Sequence, residues 1–358
     1  MTYCMRALCL TLIVGMAGWN VNALGATPMS NTPISFSLCA GRLAVDLPTD
    51  AEATLDATYK YIESQLPKPA ASFDAIKQQL EASANRYGAQ KIARDPYADK
   101  LARAAGLDPS KLNATTQLLG FQVDDRARQA AIGYQPDKKS IGIVVDVHKF
   151  IDGSDYVFKS NADGADQYPL IQKAAWDAAT HFQPLSGRAQ PSGPGFCVAG
   201  GMFADDGRPP VHESFTLVVH FKNHPDARFT IDAHAIDRVN TDEPSLKHRV
   251  DSELGILRAN VGGHVGVLVR GEREAAGQQG YQIGLSVPND TVPNTTAYKF
   301  FWSADGVPND VTRPFMEVDL TIQPDEHKPA TIRTADEARA LWDNLLHGLR
   351  IRPGAALR

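Results

Sequence analysis

Two sequence markers recur in the same order along this chain. A Cys inside a short apolar run that ends in Gly occurs at residues 36–41 and again at 195–200. A Trp-Asp-x-x-x-His segment with helical spacing occurs at residues 176–181 and again at 342–347. Because self-similarity at a long period indicates a repeated structural unit, these markers predict two similar domains, a possible internal duplication.

The predicted boundaries follow composition along the chain. Residues 1–25 have the charged start, with Arg6, and the apolar stretch of a secretory signal peptide, which predicts export from the cytoplasm. An N-terminal domain follows at 26–187, then a Gly- and Pro-rich linker at 188–195 and a C-terminal domain at 196–358. No later run of 18 or more apolar residues occurs, so we expect no transmembrane segment in the mature chain.

Hydrophobic periodicity predicts an α+β fold. Apolar residues at intervals of three and four predict a helix at 71–91, and Asp95 as N-cap before Pro96 predicts a second helix at 96–105. Further helices are predicted at 246–257 and, closing the two halves, at 174–181 and 335–349. Short runs of alternating apolar and polar residues, bounded by turn residues, predict strands through most of the remainder. We therefore expect each domain to be a mainly antiparallel sheet with helices packed on one face.

Charge and motif content exclude several function classes. The 36 Lys and Arg residues against 41 Asp and Glu give a net charge of -5, so the chain has no basic field for nucleic acid. It has neither a Gly-x-Ser-x-Gly elbow nor a His-Glu-x-x-His helix, and its ten His follow no ligand spacing. We expect no catalytic residue, no metal site and no cofactor.

Removal of the signal peptide leaves two cysteines, Cys39 and Cys197. Two thiols in an oxidising compartment favour one disulfide bond. The alternative is that each is a small buried core residue, which is common for cysteine.

The segments around these cysteines resemble a known family, the two-domain periplasmic immunity proteins that protect Gram-negative bacteria from type VI secretion lipase effectors. The first domain of that family opens with a Cys-x-Gly-Arg strand that leads to Asp-Leu-Pro, and the second opens with Gly-Phe-Cys, a glycine turn and a Glu before a strand. The matching residues here, besides the two cysteines, are Gly41, Arg42, Asp46, Pro48, Gly195, Phe196, Gly200 and Glu213.

This resemblance implies a protein that binds and inhibits a phospholipase toxin without catalysing a reaction. Equivalent residues of a duplicated fold lie close together near its pseudo-twofold axis, so we predict that Cys39 and Cys197 bridge the two domains. A periplasmic module that binds a lipid or cell-wall component is the alternative function, since paired sheets can enclose an apolar pocket.

Candidate contacts with the toxin come from two polar loops. One loop holds two adjacent acidic residues, and the other precedes an aromatic strand, a composition that suits an interface anchor with a polar rim. A solvated turn and a core strand are the corresponding structural alternatives. The candidates are Asp205, Asp206, Asn289, Asp290, Asn294 and Tyr298.

Overall fold

A computed structural model gives the fold of most of the chain. It describes residues 34–92, 96–109, 116–136, 142–185, 190–205, 212–239, 245, 247–248, 254, 265–289 and 291–356. The predicted signal peptide, most of the predicted helix at 246–257, and the candidates Asp206 and Asp290 lie outside the described residues.

Strands predominate over helices in the described ranges. The strands are β1 (Ile34–Ala40), β2 (Leu43–Pro48), β3 (Ala51–Tyr59), β4 (Ile62–Ser64), β5 (Lys68–Pro69), β6 (Leu118–Asp124), β7 (Gln129–Tyr134), β8 (Ile143–Ile151), β9 (Ser154–Ala162), β10 (Phe182–Pro184), β11 (Gly195–Val198), β12 (Gly201–Ala204), β13 (Ser214–Phe221), β14 (Ala227–His234), β15 (Gly266–Ala275), β16 (Gln278–Pro288), β17 (Thr296–Ala304), β18 (Phe315–Ile322) and β19 (Leu349–Ile351). The helices are α1 (Phe73–Gly88), α2 (Pro96–Ala104), α3 (Tyr168–Thr180) and α4 (Ala335–His347), with a short 3-10 helix at Ala165–Gln167.

Side-chain capping marks the start of two of the helices, α1 and α4. Ser72 accepts a hydrogen bond from the backbone N–H of Ala75 at 3.2 Å and starts α1. A capping box starts α4: the Thr334 side chain accepts from the Glu337 N–H at 3.2 Å, and the Glu337 carboxylate accepts from the Thr334 N–H at 3.0 Å. The helices predicted at 71–91, 96–105 and 335–349 form, each slightly shorter than predicted, and the helix predicted at 174–181 begins earlier, at Tyr168.

One continuous sheet runs through both predicted halves of the chain. Within the described residues it has 13 strands in the order β15-β16-β17-β18-β14-β13-β3-β4-β9-β8-β7-β6, with β5 paired to β9. Strands β3 and β13 form the seam between the halves, antiparallel from Ala51 opposite Phe221 to Thr58 opposite Ser214. Outward from the seam, the two sides have the same connectivity. β3 is followed by β4 and then β9 on one side, and β13 is followed by β14 and then β18 on the other.

Two small sheets exchange strands between the halves. The sheet β1-β2-β19 joins the first hairpin of the described chain to the last strand, with Leu349 opposite Val45. The sheet β10-β12-β11 joins the strand after α3 to the hairpin that opens the second half, with Phe182 opposite Phe203. Each half therefore supplies the strand after its closing helix to the small sheet of the other half.

The largest core cluster lies on one face of the main sheet. It contains residues of α3, α4, the small sheets and the inner faces of the seam strands, with Trp302, Trp342, Phe203 and Phe229 fully buried. Helix α1 packs instead with Ala130 and Ile132 on the opposite face of β7. The predicted α+β class is confirmed, and α1 adds a layer to the predicted single layer of helices. The duplication and the domain boundaries stay predictions.

Candidate functional site

The predicted disulfide joins the two halves beside the seam. Cys39 and Cys197 are bonded with an S–S distance of 1.98 Å and a Cα–Cα distance of 5.8 Å, and both are buried. Next to the bond, Gly41 and Cys197 exchange backbone hydrogen bonds of 3.0 and 2.8 Å. Gly41 has a φ of +55°, and a Cβ there would lie 2.4 Å from the Phe215 ring. This position requires glycine because a side chain would meet both backbone strain and a steric clash.

Arg42 is the centre of a buried ion-pair cluster. Its guanidinium binds Glu213 through two bonds, Nε to Oε2 at 2.8 Å and Nη2 to Oε1 at 2.6 Å. It binds Asp205 through two more, each of 2.9 Å, and also donates to the carbonyl of Ala355. Four separate segments of the chain therefore meet at one side chain that is only 5% exposed. We call Arg42, Asp205 and Glu213 the Arg42 cluster.

The electrostatics of the Arg42 cluster favour a charged guanidinium. Burial disfavours the charged form of Arg42, but the hydrogen bonds to Glu213 and Asp205 outweigh it and raise its pKa above the ordinary value. Burial raises the pKa of the Glu213 carboxyl, while Arg42 acts in the opposite direction. The two carboxylates accept hydrogen bonds from the one guanidinium. Because these donors and acceptors bind each other, the cluster holds chain segments together.

Arg352 extends this cluster, and sequence reasoning missed it. Its side chain is 2% exposed and donates to the carbonyls of Gly193 at 2.7 Å and Gly195 at 2.8 Å. Its backbone N–H donates to the carbonyl of Arg42 at 2.9 Å. Burial lowers the pKa of Arg352 and the nearby charge of Arg42 adds to this effect. No local signal marks a C-terminal arginine as buried, because its partners come from the distant linker.

The remaining motif residues make contacts within the fold. Asp46 pairs with Arg350 across β2 and β19, and its N–H donates to the carbonyl of Gly348 at 3.0 Å. Phe196 stacks on Tyr59 with ring centroids 5.8 Å apart. Gly200 has a φ of +78° and packs against Pro67. Gly195 pairs with Ala204 in the small sheet, and Pro48 ends β2.

The structure separates the predicted contact residues by their exposure. Tyr298 is 4% exposed and donates from its hydroxyl to the carbonyl of Arg333, and Asn289 is 8% exposed and donates to the carbonyl of Pro324. Both side chains are largely buried in the free protein, and contact with a partner stays a prediction for these two. Asp205 is engaged by Arg42, while Asn294 lies exposed in a turn, where contact stays a prediction.

Neither a metal-binding cluster nor a membrane-spanning helix is found among the described residues. Within the described ranges no group of three or more His, Cys, Asp and Glu side chains is placed to hold a metal ion. None of the helices described is long and apolar enough to cross a membrane.

The comparison with protein families is decisive for the second half. Residues 189–354, which include Asp205, Glu213 and Arg352, match the model of the Tle cognate immunity protein 4 C-terminal domain. The chain carries this immunity-protein domain. The family resemblance inferred from the short motifs around the cysteines is thereby confirmed.

Solved structures give the same fold over nearly the whole described chain. The apo immunity protein TplEi of the type VI secretion system from Pseudomonas aeruginosa is 18% identical, with a TM-score of 0.71 over 89% of this chain and 98% of that chain. A structure of the Tle4-Tli4 complex is also 18% identical, with a TM-score of 0.73 over 91% of this chain and 100% of that chain. A comparison with curated proteins finds no match.

Proposed function

We propose that this protein binds a type VI secretion lipase effector in the periplasm, inhibits it and so protects the producing cell. The observation that carries the proposal is the immunity-protein domain at residues 189–354. That domain is built into the rest of the chain, because Arg42 from the first half binds Asp205 and Glu213 of the second. The inhibitory unit in this proposal is therefore the two connected halves together, which we call the frame.

The frame is suited to binding by a preformed surface. The seam between β3 and β13, the two exchanged strands, the disulfide and the Arg42 cluster all connect the same two halves. A surface held in this way loses little conformational entropy when a partner docks, so more of the contact energy remains as affinity.

Inhibition in this proposal is non-enzymatic. The buried ionisable groups of the Arg42 cluster bind each other and hold chain segments together. In this proposal the inhibitor acts by binding the effector so that lipid cannot reach its active site, or so that the lid over that site cannot move. We infer the periplasm as its location because a signal peptide is predicted at residues 1–25 and disulfides persist in oxidising compartments.

We also propose that the halves, 26–187 and 196–358, arose by duplication of one domain. The support is the matching connectivity on the two sides of the seam and the reciprocal exchange of β10 and β19. The cysteines of the two recurring markers meet in the disulfide, as expected for equivalent positions near a pseudo-twofold axis.

The test mixes the purified exported protein with the lipase effector encoded beside its gene and follows phospholipid hydrolysis. We expect hydrolysis to stop at about equimolar inhibitor, and a stable complex to elute as one peak in size-exclusion chromatography. The protein incubated alone with phospholipid is the control and should release no fatty acid. Full effector activity in the presence of excess protein would contradict the proposal.

A further inference from the structure

The turn between β3 and β4 departs from the residue preference of its type. Among the described residues, three two-residue hairpin turns have both central residues at positive φ: Lys60-Tyr61, Asp152-Gly153 and Ala276-Gly277. Turns of this type strongly favour glycine, because residues with a Cβ are disfavoured in the left-handed region. Two of the three turns end in Gly, whereas the turn at the seam ends in tyrosine.

This tyrosine is held outward against a histidine. Tyr61 is 56% exposed, and its ring lies 3.8 Å from the ring of His212, centroid to centroid. His212 also has a positive φ, of 56°, so three non-glycine residues in the left-handed region meet at one place. Strained backbone of this kind persists where the surrounding structure fixes it, and it concentrates at binding sites.

The structure beneath this pair holds both segments in place. Tyr59, the residue before the turn, stacks on Phe203 at 5.1 Å and on Phe196 at 5.8 Å. Glu213, the residue after His212, is bound on both carboxylate oxygens by Arg42. Both segments that carry the exposed rings are therefore fixed at their bases. An exposed aromatic on a rigid base is preorganised for contact, since its ordering cost has been met in the fold.

We infer that Tyr61, supported by His212, is an anchor residue for the lipase effector. This inference rests on the proposed function and names a contact site for it. Tyrosine is enriched among the few residues that dominate interface energetics, because its flat ring buries a large area at low entropic cost. The occupant is an apolar depression on the effector, of the kind that a lipase must present to hold acyl chains.

The experiment converts the turn to the sequence that its backbone prefers. The variant Lys60→Asn with Tyr61→Gly should fold at least as stably as the wild type, because Asn-Gly fits two left-handed positions. Its affinity for the effector, measured by calorimetry or surface plasmon resonance, should nevertheless fall about 30-fold, as expected for loss of an interface hot spot. A purely structural turn would gain stability and keep its affinity.

Two control variants isolate the effect. Asp152→Asn places Asn-Gly in the β8–β9 turn and should leave affinity unchanged. Tyr97→Ala removes another exposed tyrosine: Tyr97 lies on α2 and is 67% exposed. This variant should change affinity less than threefold. A second test variant, His212→Asn, keeps a residue that tolerates the left-handed region but removes the supporting ring, and should weaken binding about tenfold.

The outcomes separate this inference from the proposed function. If the wild type binds the effector and both test variants bind within threefold of it, the anchor is wrong and the proposed function stands. If the wild type fails to bind or inhibit the effector, the proposed function is wrong, and the inference that Tyr61 is an anchor residue is wrong as well. Loss of affinity in the Tyr97 control equal to that in the Tyr61 variant would also overturn the anchor.

Discussion

Arg42 and Glu213 lie 171 positions apart in sequence and form a bidentate ion pair in which Nε–Oε2 is 2.8 Å and Nη2–Oε1 is 2.6 Å. Arg42 lies in the turn of the first hairpin, and Glu213 immediately precedes the seam strand of the second half. The pair therefore fixes a hairpin of one half to the seam strand of the other. Removal of the pair should weaken the contact between the two halves more than it weakens the packing within either half.

Replacement of Arg42 should be strongly destabilising. Arg42→Met leaves Glu213 and Asp205 buried without their cation, and breaking such a buried pair costs about 3–5 kcal/mol in the free energy of unfolding. Urea denaturation followed by circular dichroism measures this cost. Arg350→Met is the control, because its side chain is 49% exposed and its pair with Asp46 is worth about 1 kcal/mol or less. Equal losses in the two variants would contradict a special role for the Arg42 cluster.

The disulfide should make stability depend on redox conditions. Since Cys39 and Cys197 are 158 positions apart, their bond restricts a long loop of the unfolded chain. The double variant Cys39→Ala with Cys197→Ala should lose about 2–4 kcal/mol of unfolding free energy. Dithiothreitol should lower wild-type stability by a similar amount and leave the double variant unchanged. A wild type that is equally stable with and without reductant would refute this expectation.

The capping box of α4 should add a measurable acid sensitivity. Burial acts to raise the pKa of Glu337, but the backbone N–H groups of Arg333 and Thr334 outweigh it and hold the pKa below its ordinary value. An acid with a depressed folded-state pKa stabilises the fold above its unfolded value of 4.5, and this contribution is lost as pH falls through the folded pKa.

Glu337→Gln should therefore reduce the slope of unfolding free energy against pH below about 4.5. The slope in the mid-range of pH should hardly change, because the carboxylate is ionised in both the folded and the unfolded chain there. Thr334→Ala should cost about 1 kcal/mol at neutral pH, because it removes the cap itself. Thermal denaturation across a pH series measures both effects. A slope in the Glu337 variant as steep as in the wild type would show that the cap contributes nothing to acid sensitivity.

Truncation after Gly348 should unfold more than the end of the chain. The deletion removes β19, Arg352 and Ala355, so β2 loses one of its two neighbours and the Arg42 cluster loses one acceptor. We expect a loss above the roughly 4 kcal/mol that marks an exceptional single substitution. Limited proteolysis should then cut the N-terminal hairpin at residues 34–48 as fast as the C-terminal region. Slow cleavage confined to the C-terminal region would show that the exchanged strand is dispensable.

Sequence reasoning located the elements whose signals are local. The spacing of Phe73, Ile76 and Leu80 predicted α1, and all three side chains are buried. The alternation in the aromatic strand was also informative, since Phe300 and Trp302 are fully buried in the core of β17. The predicted disulfide followed from the recurrence of one marker around both cysteines.

The parts that escaped prediction depend on distant partners. Strands β10 and β19 are three residues each, too short for a periodic signal, and they form only because a hairpin of the other half offers an edge. Arg42 was singled out by its motif, but its partners Asp205 and Ala355 come from remote segments. The Lys60-Tyr61 turn could not be recognised, because the hairpin rule expects glycine there.

The exchange of β10 and β19 has a consequence for the timing of folding. The chain is synthesised from its N-terminus, so β2 has to wait for β19 before its sheet can close. Shortened products that end before β19 would leave that edge of β2 unpaired and open to proteases, whereas molecules that contain β19 cover it. Closure of this sheet therefore depends on a segment that is made long after β2.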